Sequence, residues 1–343
     1  MKSSKILFCM LAVVLTILIT GCSKAPTTES PENSALPSSG LTQSNEPSSS
    51  PSVASQEPLS PKTGSVQVGD ITVTAEWIKL EEPILRSMSG GMAYTGDTLH
   101  FVSQKELIAA KITDGTAKFI KRTEITTSGS ALSVDLNNLL YVNGEISEPD
   151  IMDAEHNKIG KGPVNGQYVM SEDWGISYWR DKDVNIINGT GTEAEAAPWV
   201  LSNLLDDAQR KGPFTMINTV NIMNDHILIG GEVAETKDSR LIVFDKSGKE
   251  IIRTTTEFKR DHPSFLAEGS NGYISGTTGT LEFWNKNGEP IEVSKTLIKD
   301  LFGVPTIWPT AAVREADGSI LMLCTASPTP NQSELMIFRI KGF

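Results

Sequence analysis

The sequence predicts an all-β body, carried behind a short export segment and a disordered tether. Three observations point there. From about residue 64 onward, short apolar runs alternate with turns rich in Gly, Asn and Asp, as in sandwiches and barrels. A strand–turn–strand form recurs along that whole stretch at a period of about 44 residues. Before it the composition shifts abruptly to Ser, Pro, Thr, Asn, Gln and Glu.

The chain opens with Lys2 and Lys5, followed by an apolar stretch from Ile6 to Ile19 that only Thr16 interrupts. A transmembrane helix needs about 20 apolar residues, so this stretch is short for a span and reads as the core of a secretory signal. It ends in Ile19-Thr20-Gly21-Cys22. An aliphatic residue, two small residues and a cysteine directly after such a core resemble the lipobox of bacterial lipoproteins. The resemblance implies removal of residues 1–21 and lipidation of Cys22, which would hold the protein on the outer side of a cell membrane. Two or more acyl chains suffice for that, since each buried CH₂ contributes about 0.8 kcal/mol.

Residues 22–63 bury too little apolar area to offset the entropy of ordering, and are expected to be a disordered linker. As a flexible coil it would span roughly 35 Å, and up to about 120 Å as extended polyproline II. Of the three cysteines, Cys9 falls in the export segment and Cys22 in the lipobox. Cys324 lies in the apolar run Ile320-Leu-Met-Leu-Cys324 and reads as a core residue. No disulfide framework is expected, so the body must be stabilised by its core. The net charge of −12 argues against nucleic acid as a partner.

Within residues 64–343, six segments share one hairpin form. They are Met92–Phe101, Ala131–Tyr141, Tyr168–Tyr178, Val220–Ile229, Phe265–Ile274 and Ala312–Met322. A second hairpin follows each of the earlier ones. It is clearest in Leu241–Ile251 and Leu281–Ile291, where Asp or Asn opens the turn and Gly takes a positive-φ position. Ala109–Ile120, Ile151–Gly160 and Val184–Gly191 are looser versions. Two hairpins per unit make four strands per unit. This resembles a six-bladed β-propeller of the degenerate extracytoplasmic kind; a seven-bladed ring or a pair of β-sandwiches is the alternative. The last unit stops at its third strand, Leu335–Ile340, while a surplus strand stands at the front, in Val66 to Leu80 with the alternating run Ile71–Trp77. Pairing the two ends would close the ring and remove an exposed edge.

Pro198 to Lys211 reads as a short amphipathic helix, with Val200, Leu201, Leu204 and Leu205 on one face. A second insertion runs from Thr296 to Pro309. In a propeller both lie on the face where unit-to-unit connections meet and ligands usually bind.

Chemistry-bearing motifs are sparse. His100, His156, His226 and His262 show no metal-ligand spacing, and His100 and His226 both follow a first-hairpin turn, which suggests a shared structural place. No nucleophile elbow, phosphate loop or dinucleotide fingerprint is found, so neither a cofactor nor a metal is expected. Ser171-Glu-Asp173-Trp-Gly175-Ile-Ser-Tyr178 resembles the Asp-box of sialidases and related propellers, where the box is a structural turn. The expected ligand face carries Arg180, Trp199, Arg260, Asp261, His262 and Trp308. These residues suit a non-enzymatic module binding a protein, peptide or glycan. The alternatives are a propeller hydrolase, with Arg180, Asp261 and His262 as its polar set, and a scaffold subunit of an envelope complex.

Overall fold

The computed structural model describes residues 63–85, 89–126, 131–143, 147–163, 165–179, 184–201, 204, 212–233, 239–254, 263–329 and 332–343. The expected signal segment, Cys22 and nearly all of the expected tether lie outside them.

The described chain opens with a hairpin, β1 (Gly64–Val68) and β2 (Ile71–Leu80), so the front segment is two strands turning at Gly69 and Asp70 rather than one. Antiparallel runs of four strands follow. The first holds β3 (Ser89–Thr95), β4 (Thr98–Ser103), β5 (Glu106–Thr113) and β6 (Thr116–Glu124). The second holds β7 (Ala131–Val134), β8 (Leu140–Asn143), β9 (Asp150–Met152) and β10 (Lys158–Lys161). The third holds β11 (Gln167–Ser171), β12 (Trp174–Tyr178), β13 (Val184–Asn188) and β14 (Glu195–Leu201). The fourth holds β15 (Met216–Met223), β16 (His226–Glu232), β17 (Ser239–Asp245) and β18 (Glu250–Arg253). The fifth holds β19 (Phe265–Glu268), β20 (Gly272–Thr277), β21 (Thr280–Asn285) and β22 (Pro290–Ile291). After a short helix, α1 (Leu297–Phe302), come only three strands: β23 (Thr306–Arg314), β24 (Ile320–Thr329) and β25 (Gln332–Lys341).

The missing fourth strand is β2. Its residues Thr74 to Ile78 lie antiparallel to Lys341 to Ile337 of β25, as the sequence anticipates. On its other side β2 makes a short parallel pairing that the sequence does not anticipate, Lys79 with Thr116 and Leu80 with Ala117 of β6. The first strand of each run contacts the first strand of the next, from β3 through β7, β11, β15 and β19 to β23, and β23 contacts β3. This radial closure is that of a β-propeller, whose inner strands keep only short, protected edges.

The core sits in slabs between neighbouring runs. Ala93, Val102, Leu132 and Leu140 fill the slab between the first two. Tyr141, Ile151, Tyr168 and Ile187 fill the next, with the Tyr141 and Tyr168 rings stacked. Ile78, Leu99, Phe101, Leu321 and Ile337 join the last run to the first across the closure. Cys324 is fully buried in the largest cluster, as the apolar run around it requires.

In the fourth and fifth runs the turns between third and fourth strands share one device. Asp245 Oδ1 accepts from the amides of Ser247 and Lys249, and Gly248 takes φ 81°. Asn285 Oδ1 accepts from Asn287 and Glu289, and Gly288 takes φ 78°. Such Asx turns satisfy the backbone locally, and glycine supplies the left-handed step at little cost.

One expectation fails. Pro198 to Leu201 is not helical: it is the end of β14, with Val200 opposite Asn185 and Leu201 opposite Val184. An open sheet edge offers this segment a ladder of interstrand hydrogen bonds, which outweighs a short helical apolar pattern. Of the remainder of that stretch, only Leu204 is among the described residues, and it is buried beside Leu201. The Thr296–Pro309 insertion resolves into α1 and the first residues of β23.

Candidate functional site

Antiparallel alternation gives the ring two unlike ends. Turns from first to second and from third to fourth strands fall at one end. Connections from second to third strands, and from run to run, fall at the other. Of the six residues singled out in the sequence, the described chain places only Trp199 and Trp308, both at the connection end. Arg180 lies in the link from β12 to β13, and Arg260, Asp261 and His262 in the link from β18 to β19. These four are outside the described residues. Trp199 lies near the end of β14, and Trp308 near the start of β23.

Trp308 is 49% exposed, an unusual share for so large a ring. Beside it in sequence, Pro309 O accepts from Ser264 Oγ at 2.7 Å. Ser264, just ahead of β19, is thereby tied to the strand that carries Trp308. Trp174 and Tyr178 are buried, and Trp179 Nε1 donates to Asn165 O at 3.2 Å. The Asp-box segment is the β11–β12 turn, with Asp173 O accepting from Gly189 N at 2.7 Å, a structural role.

Beside the insertion that begins at Thr296 lies a groove of about 750 Å³ at the connection end. It opens because β22 pairs with β21 only at Phe283 and Trp284 and then swings away towards α1. Thr280, Leu281 and Glu282 line one side, Ile291 to Lys295 another, and Leu297 and Ile298 of α1 a third. The glycine cap of α1, Gly303 at φ 70°, ends the helix so that β23 can begin. Glu282 is nearly buried, its Oε2 accepting from Ser275 Oγ at 3.1 Å, and that hydroxyl takes a bond from Trp284 Nε1 at 3.3 Å. The groove thus pairs aliphatic walls with the carboxylates of Glu282 and Glu292 and the ammonium of Lys295. No signal at single residues marks it, because it depends on where β22 ends.

Among the described residues no cluster of His, Cys, Asp and Glu is arranged to hold a metal, and no helix is long and apolar enough to cross a membrane. The two histidines expected to share a place differ in depth. His226 opens β16 and bonds Glu268 Oε2 at 3.0 Å, whereas His100 sits inside β4, fully buried. Both nevertheless reach into the following run.

No family model matches the sequence, and no curated protein matches it. Solved structures with a similar course of chain include BamB from Moraxella catarrhalis, at 12% identity and TM-score 0.38 over 82% of this chain and 97% of that one. The β-propeller domain of Swd1 from Myceliophteria thermophila matches at 10% identity and TM-score 0.44 over 77% and 89%. Hsv2 from Kluyveromyces lactis matches at 11% identity and TM-score 0.42 over 70% of each chain. The propeller assignment rests on this chain's own strand order and ring of contacts.

Proposed function

We propose that this protein is a lipid-anchored, extracytoplasmic interaction propeller. Residues 1–21 direct export, Cys22 carries the lipid, residues 22–63 act as a tether, and residues 64–343 form a six-bladed ring. The connection end is its binding face, and the occupant is a segment of a partner protein. The observation that carries this reading is the groove beside α1, large enough for several side chains and lying at the same end as the exposed ring of Trp308. Exposed aromatics and mixed apolar and charged walls are typical of protein recognition surfaces.

Site-specific photocrosslinking in the producing cell tests this. Benzoylphenylalanine placed at Lys295 or Trp308 should give a discrete crosslinked species. The same group at Ser247, in a turn at the opposite end, should give none. Crosslinks from Ser247 alone, or from no position, would sink the proposal.

A further inference from the structure

His156 stands where the third-to-fourth-strand turns at Asp245 and Asn285 carry glycine. Counting from the Asx residue, Asp153 to His156 matches Asp245 to Gly248 and Asn285 to Gly288, and His156 adopts φ 62°. A β-carbon makes that conformation costly, so the side chain must return something for the strain. It turns inward across the boundary between the first two runs. His156 Nε2 lies 2.9 Å from Nδ1 of His100, which is fully buried on β4. The pair is closed at both ends by hydroxyls, Thr95 Oγ1 at 2.7 Å from His100 Nε2 and Thr123 Oγ1 at 2.9 Å from His156 Nδ1. The result is a four-residue chain, Thr95–His100–His156–Thr123, that ties β3, β4 and β6 to the turn between β9 and β10.

We propose that His100 and His156 form a proton-operated latch, which holds the second four-stranded run to the first near neutral pH and releases it on acidification.

The geometry sets the logic. A single hydrogen fills the contact between the two rings, and either threonine hydroxyl can turn to donate or accept. Two added protons would place hydrogens on both facing nitrogens, and the contact must then break. The charged groups nearby oppose protonation on balance. Burial comes first, holding both imidazoles at about 4 instead of 6.5. On His100 the second influence is the charge of His156. On His156 it is Lys121 of β6, opposed by Asp153 of its own turn. Lys121 is itself held in place by donating to Glu155 O of that turn. On the flanking strands, Asp150 is satisfied by Lys158 at 2.8 Å and Lys161 at 2.7 Å. Freed histidines take up protons below 6.5, while the latched pair resists until about 4. The latch therefore weakens as pH falls through this window, by about thirtyfold at pH 5 for each histidine freed.

Hydrogen–deuterium exchange of the full-length chain at about pH 7.5 and pH 5, corrected for intrinsic exchange, tests the proposal. Residues 150–161 should open at least about tenfold more at the lower pH, relative to the β19–β22 sheet. A double variant, His100→Gln with His156→Asn, keeps hydrogen-bonding groups and a residue tolerant of the turn but cannot titrate, and should abolish the increase. No increase in the parent, or an equal one in the variant, overturns the latch. An imidazole NMR titration of the parent decides the matter should the variant not fold. Signals that stay neutral down to about 4 support the latch, and titration at the ordinary value refutes it.

Discussion

Arg339 grips Glu315 with both arms of its guanidinium, Nε to Oε2 at 2.5 Å and Nη2 to Oε1 at 2.9 Å. Its Nη1 also lies 3.5 Å from Glu76 Oε2 on β2, and the Tyr94 hydroxyl of β3 reaches Glu315 Oε1 at 3.3 Å. One side chain of the last strand thus engages the strand that closes the ring, while its carboxylate partner engages the first run. A forked pair of this kind is strong where water is partly excluded.

Replacing Arg339 with methionine keeps the apolar stem and removes the fork. Loss of about 2 kcal/mol is expected from urea unfolding near neutral pH. Burial acts to raise the Glu315 carboxyl, but its bonds to Arg339 and Ser319 prevail and hold it below its ordinary 4.5. A carboxyl lowered in this way stabilises the fold fully above its unfolded value, and that contribution fades as pH falls through the folded one. The difference between parent and variant should therefore be flat from about pH 7 to pH 5 and narrow below about pH 4.

Ile78 of β2 is fully buried in the slab that joins the last run to the first. Ile78→Ala should cost about 2–5 kcal/mol through lost contact and the cavity left behind. Ile251, half-exposed on the outer strand β18, is the control, and its alanine variant should change stability by less than about 0.5 kcal/mol. Equal losses at the two sites, measured by denaturant midpoint, would contradict the closure described here.

Gly91 of β3 lies where a β-carbon would stand 1.9 Å from Leu132 N of β7. The obstacle is backbone, so it cannot swing aside. Gly91→Ala should force the first two runs apart and cost more than about 4 kcal/mol. Gly96, with φ 57° and open space around it, should lose only about 1 kcal/mol on the same change. Thermal melting of the two variants separates close approach from turn strain.

Cys22→Ala tests the anchor. Labelled palmitate should enter the parent chain and not the variant, and the variant should move from the detergent to the aqueous phase in a Triton X-114 partition. Label retained in the variant would exclude Cys22 as the lipidated residue.

Much of the fold was legible because turn chemistry is local. Asp245 with Gly248, and Asn285 with Gly288, announce their hairpins within four residues, and the six first hairpins fall where the repeat placed them. The closing strand was legible because Ile71 to Trp77 alternates and the last unit lacks a partner. At Pro198 the amphipathic pattern misleads, because a strand ladder to β13 outweighs a short helical preference. Of the candidate site, only its end of the ring was legible. The groove beside α1 follows from where β22 leaves β21, and no residue type announces that departure.

The hairpins and the order in which they pair are written in the local sequence. Those features depend on neighbours a few residues apart, through backbone preference, turn hydrogen bonds and alternation of apolar side chains. That His100 and His156, 56 residues apart, share a hydrogen bond, and that β2 touches β6 as well as β25, emerges only in the folded ring. Such contacts lie between sheets, and their register is fixed by how whole slabs of side chains interlock around the ring.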